Sequence, residues 1–161
     1  METNAIKDEE NSGDMNEHQI RVGALVEQVL LTIDEPYESL RMTLEKHPFE
    51  RMGDLDTVGT AAWHLMHVCE VFRVHARAFM GAEEIEAWPS MPDELGACVE
   101  MLREDADRFA AWCLANPQRV GDVHHGEDLS FAMMMGVMHR HIVWHAAAVH
   151  YWCLWKGSGA G

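Results

Sequence analysis

The chain has no Cys-x-x-Cys pair, no His-Glu-x-x-His sequence and no apolar run near the roughly 20 residues that span a bilayer. Its four cysteines, Cys69, Cys98, Cys113 and Cys153, fall singly within helical patterns. They read as reduced core thiols, not as a disulfide or zinc framework. Basic residues are scarce: 12 Lys and Arg stand against 27 Asp and Glu, a formal net charge of −15, and they form no stripe. Binding to nucleic acid is disfavoured on that ground, because it depends on clustered cations that neutralise phosphates, and anionic membranes are disfavoured likewise. The first residues, METNAIKDEENSGDMNEH, lack the basic, apolar, small-residue order of a secretory leader, so a cytoplasmic location is expected. No run alternates as a strand would, and no internal repeat is evident. What remains is helical periodicity in 161 residues that are 48% apolar, with 12 Met and 6 Trp, enough for one domain around one core.

Residues 1–17 are acidic and poor in apolar side chains, which predicts a flexible tail. Residues 18–156 should carry the folded domain and 157–161 a flexible C-terminus. A first helix is expected from His18 to Lys46 on Ile20, Leu25, Val29, Leu30, Ile33, Leu40 and Leu44, with Pro36 kinking or breaking it. The second lies in Thr57 to Met80, after possible caps from Asp54 to Thr57. Ala62, Leu65, Val68, Cys69, Phe72, Ala76 and Phe79 line its apolar stripe, and Glu70, Arg73 and Arg77 its polar side. A loop should follow Gly81 through Trp88 and Pro89. The third helix should start at Ser90-Met91-Pro92-Asp93 and run to Ala115. Residues 118–128 read as a polar linker whose His124 and His125 are weak ligand candidates, solvated loop histidines being the favoured reading. The fourth helix spans Ser130 to Trp155. Four long helices make this an all-α protein, read as a four-helix bundle.

The chemistry lies in the histidines. Met134, Met138, His141, His145, Ala148 and Trp152 fall on one stripe of the last helix, spaced four, three, four, three, four. His141 and His145, one turn apart, can hold one ion between them. Without partners, each of their ring nitrogens would cost about 1–3 kcal/mol. The competing reading is that each donates to a backbone carbonyl or hydroxyl in a packed core. His139 and His150, on roughly the opposite side, read as surface or rim residues. A third ligand is available from the second helix, where His64 borders the apolar stripe, His67 turns further toward the polar side and His75 lies further along the axis. His64 is the first candidate and His67 the reserve. Cys69, five residues after His64, could ligate in principle but reads as a small buried hydrophobe.

Two segments resemble the DinB-like superfamily of metalloenzymes, which includes the S-transferases that use bacillithiol or mycothiol. Gly59-Thr60-Ala61-Ala62-Trp63-His64-Leu65 looks like that family's second-helix motif, and His141-Ile142-Val143-Trp144-His145 like its H-x-x-x-H. The resemblance implies an up-down-down-up four-helix bundle with long connections and a metal triad of His64, His141 and His145. It also implies a low-molecular-weight thiol and S-transfer to a small-molecule electrophile, or a related hydrolysis. Many members follow the last histidine with a small residue and a glutamine, whereas this chain has Ala146, Ala147 and Ala148.

Imidazole ligation suits a divalent ion, nickel or zinc foremost, with iron, copper or manganese also open. Three neutral histidines leave such an ion its charge and open positions, which is Lewis-acid chemistry. No base beyond the ligands stands out: Glu70 is expected to point away from the site, and Glu127 and Asp128 near the start of the fourth helix are undistinguished. A non-catalytic metal-binding module and a structural bundle with satisfied core histidines are the alternatives. Apolar residues around nearly the whole fourth helix, including Trp144, Tyr151 and Trp155 outside the histidine stripe, predict a homodimer.

Overall fold

The computed structural model describes residues 17–35, 39–121 and 129–157. Most of the expected N-terminal tail, His124, His125, Glu127, Asp128 and residues 158–161 lie outside the described residues. Among those described, the chain is all-helical, with six α-helices and no strand.

Helix α1 (Glu17–Asp34) buries Val22, Val26, Val29 and Ile33, spaced four, three, four. Ile20, expected in that stripe, is 55% exposed, because a position two residues before Val22 lies on the far side of the helix. The expected first helix is in fact two. Helix α1 ends before Pro36, and α2 (Leu40–Lys46) begins anew with Ser39 as its cap, its Oγ accepting the Met42 N–H at 3.2 Å.

Helix α3 (Ala61–Met80) starts later than the sequence suggests, because residues 54–60 are used in turns. Asp54 holds them: its carboxylate accepts the Asp56 N–H at 3.3 Å and the Thr57 hydroxyl at 3.2 Å. Thr60 donates its hydroxyl to the Asp54 carbonyl at 2.7 Å and accepts the Trp63 N–H at 3.1 Å, which makes Thr60 the cap. The apolar stripe expected for this helix is buried throughout. Beyond it, α4 (Ala82–Glu86) occupies part of the expected loop.

Helix α5 (Leu95–Ala115) is capped by Glu94, whose carboxylate accepts from Gly96 and Ala97 at 3.0 and 2.9 Å. Ser90 and Pro92 therefore lie ahead of the helix and not in its first turn. Helix α6 (Phe131–Gly157) runs 27 residues, and Ser130 Oγ accepts the Met133 N–H at 3.3 Å at its start.

The long helices contact one another chiefly in a cycle, α3 against α5 and α6, and α1 against α5 and α6, with α2 laid on α6. Phe72 and Phe109 meet edge to face at 5.9 Å, and Phe79 and Phe131 at 5.3 Å, across the core. Among the described residues, one carboxylate is buried there. Asp105, 2% exposed, takes Arg73 Nε of α3 at 2.5 Å and Arg108 Nη1 of its own helix at 2.9 Å. Arg73, assigned to the polar side from sequence, thus joins α3 to α5.

The two rim histidines also have partners. His139 Nδ1 lies 2.7 Å from Thr32 Oγ1 of α1, and His150 Nδ1 lies 2.8 Å from His47 Nε2, just past α2. Because α6 is packed by α1, α2 and α3, its half-buried edges are contact lines. No helix among the described residues is long and apolar enough to cross a membrane.

Candidate metal site

The α3 to α6 contact brings four imidazoles together. His141 and His145 project from α6 with ring centres 4.4 Å apart. From α3, His67 faces both, at 5.3 Å from His141 and 5.0 Å from His145. One ring nitrogen from each of His67, His141 and His145 lies within 4.8 Å of the other two, so this group could hold a metal ion. His64, one turn earlier on α3, meets His145 instead, with Nδ1 to Nδ1 at 2.8 Å. One of those two nitrogens must carry the proton.

Each expected ligand is therefore at the cluster: His141 and His145 are neighbours, His64 is hydrogen-bonded to His145, and the reserve His67 completes the group of three. His75 lies further along α3 and lines, with His141, a void of about 10 Å³. Cys69 is turned into the core, donating its thiol to the Cys98 carbonyl at 3.4 Å. Burial, chiefly, pushes that thiol up to about 12.

Burial and neighbouring rings favour the neutral form of His64, His141 and His145. Burial, then His141, His64 and His67, pull the His145 imidazole down to about 3. Burial and then His67 lower both His64 and His141 below their usual value. Neutral rings present lone pairs, which is the form a metal requires. Satisfaction of the ring nitrogens is incomplete as well: His141 Nε2 is buried without a hydrogen-bond partner. A ring that carries an orphaned buried nitrogen and belongs to a group of three imidazoles fits a cation better than it fits a packed apolar core.

Tryptophans frame the cluster. Trp63 stacks on His67 at 5.0 Å, with planes 7° apart. Trp144 stands edge-on to His145 at 4.6 Å and to His64 at 5.6 Å. His67 and Trp63 also line a cleft of about 630 Å³, together with Glu70 and Met66 of α3, Leu55 and Asp56, and Met91 to Asp93. Glu70, set aside in the sequence, thus shares a wall with His67, because three residues along a helix keep both on one side. Its other walls come from loops far apart in sequence, and no motif announces them.

Comparison with models of protein families, with curated proteins and with solved structures finds no match.

Proposed function

We propose that the protein is a divalent-metal-dependent enzyme built on a DinB-like four-helix bundle, with the ion held by His67, His141 and His145. The observation that carries this is the buried, unpartnered Nε2 of His141 within a group of three imidazoles from two facing helices. A purely structural role would leave that nitrogen unsatisfied, at a cost of about 1–3 kcal/mol. In this reading His64 orients His145 through the Nδ1 to Nδ1 hydrogen bond, as ligating imidazoles are commonly held by their second nitrogen. The sequence resemblance favours His64 itself as the third ligand, and substitution separates the two.

Bound there, nickel or zinc would supply Lewis acidity and lower the pKa of a water or thiol. The chain's own residues shape what reaches it. Among the described residues, the cleft beside His67 is lined by Asp56, Glu70 and Asp93 and by no Lys or Arg. A pocket of one sign repels like charge, so a thiol rich in carboxylates is disfavoured as co-substrate, and a neutral or cationic electrophile suits the site. Trp63, Met66 and Met91 give that substrate an apolar body to lie on. Glu70, on the same side of α3 as His67, is the carboxylate placed to move a proton. With no polar side chain at Ala146 to Ala148, direction from that end of the site is absent.

Elemental analysis of tag-free protein tests the reading, paired with a screen of thiols and electrophiles. About one divalent ion per chain, lost in His141→Ala together with ion-dependent turnover, supports it. An ion without turnover leaves a binding module, and no ion after reconstitution returns the histidines to the core.

A further inference from the structure

Helix α6 carries a second surface, which meets the histidine cluster through Trp144. Met133, Trp144, Ala147, Tyr151 and Trp155 follow one line along it, separated by whole numbers of turns, and Val143 and Leu154 border that line. The line faces solvent: Tyr151 is 70% exposed, Trp144 61%, Trp155 55%, Met133 54% and Leu154 51%. At about 150–250 Å² per aromatic side chain, the three rings leave roughly 300–450 Å² bare, and their aliphatic neighbours raise this to on the order of 500–700 Å². That is the upper end of what a monomer exposes, roughly 300–600 Å², and close to the ~800 Å² that each partner gives to a stable interface.

Charge selects the occupant. In a chain with 27 acidic residues, α6 has none; its only Lys or Arg residues are Arg140 and Lys156, the latter over the ring of Trp155 at 4.5 Å. Exposed acids stand on every other long helix, at Glu27 and Asp34 of α1, Glu70 of α3, and Glu100, Glu104 and Asp107 of α5. Two copies that each carry −15 repel along those faces and can approach without acid meeting acid along α6. Residues 1–16, with Met1, Ala5, Ile6 and Met15 as their apolar side chains, have too little apolar surface to cover it.

We propose that a second copy of this chain docks on the outer face of α6, the two helices packing about a two-fold axis with Trp144, Ala147, Tyr151 and Leu154 at the contact. A symmetric dimer uses the same patch twice, so one exposed stripe suffices. It covers the outer side of Trp144, whose ring also walls His145.

Light scattering coupled to size exclusion on the full chain tests this, comparing wild type with Tyr151→Glu/Leu154→Glu. The expected result is a dimer for wild type and a monomer for the variant, with unchanged helical circular dichroism. Because the native thiols described are all buried, Ala147→Cys provides an independent reading, a chain-to-chain disulfide on mild oxidation. A monomeric wild type, a variant that stays dimeric, or no cross-link from residue 147 would overturn the proposal. A monomeric wild type would assign the face to a different protein. None of these results bears on metal content, which is measured separately.

Discussion

His64 and His145, 81 positions apart in sequence, meet nitrogen to nitrogen, Nδ1 to Nδ1 at 2.8 Å. That contact engages Nδ1 of His145, the most buried of the four imidazoles, and leaves its Nε2 outside the contact. If His64 orients and His67 ligates, the two substitutions differ in degree. His67→Ala should abolish stoichiometric binding, as should His141→Ala and His145→Ala, whereas His64→Ala should weaken affinity about 10–100-fold. Competition with a chromogenic chelator measures both, and the opposite order would make His64 the ligand and His67 its neighbour.

The ion-free protein should lose stability in acid. His145 is held at about 3 when folded and takes its proton near 6.5 when unfolded, so the unfolded state binds more protons across that window. Its contribution is fully present above about 6.5 and is lost progressively as pH falls toward about 3. Urea unfolding of metal-stripped protein at about pH 7.5 and about pH 5 should show the decline, and His145→Gln should flatten it. Identical slopes in the two proteins would assign the acid sensitivity to other groups.

Asp105 is a buried carboxylate that takes Arg73 Nε from α3 and Arg108 Nη1 from its own helix. Asp105→Ala should cost about 3–5 kcal/mol by leaving Arg73 Nε without its carboxylate in the α3 to α5 interface. Replacing both members of the pair with leucine should recover much of that loss. Denaturant melts of the two single variants and the double variant measure the coupling.

Gly53 is a packing point for the loop that leads to the cleft. Its φ is +83°, and a Cβ there would sit 2.7 Å from Trp152 Cη2 and 3.2 Å from Thr60 Cβ. Neither ring nor backbone can yield freely, since Met52 beside it is fully buried and its carbonyl accepts the Ala62 N–H at 3.0 Å. Gly53→Ala should therefore destabilise by roughly 1–3 kcal/mol and lower Tm by several degrees. A thermal melt equal to wild type would show that the loop moves aside.

Burial should also silence the thiols. Cys69 and Cys113 are pushed up to about 12, mainly by burial, and all four cysteines are buried. A colourless thiol reagent such as Ellman's should react with none of them until the chain unfolds, because the thiolate is the nucleophile. Rapid labelling of the native protein would contradict the packing around Cys69 and Cys98.

Periodicity alone determined much of this protein. The stripe from Ala62 to Phe79 and the spacing of Met134, Met138, His141 and His145 specify a face without reference to any partner, since a helix repeats every 3.6 residues whatever lies beside it. That is why the all-helical class, the amphipathic α3 and the inward His141 and His145 pair were legible. Helix starts were less so, because Thr60 and Glu94 compete with nearby Asp, Ser and Thr residues of similar capping ability. Tertiary packing decided the rest. Which α3 histidine faces which α6 nitrogen depends on the axial offset and rotation of two helices, and a shift of one turn exchanges His64 for His67. Asp105 with Arg73, His139 with Thr32 and the cleft beside His67 arise only where distant segments meet, and no local pattern encodes a distance between them.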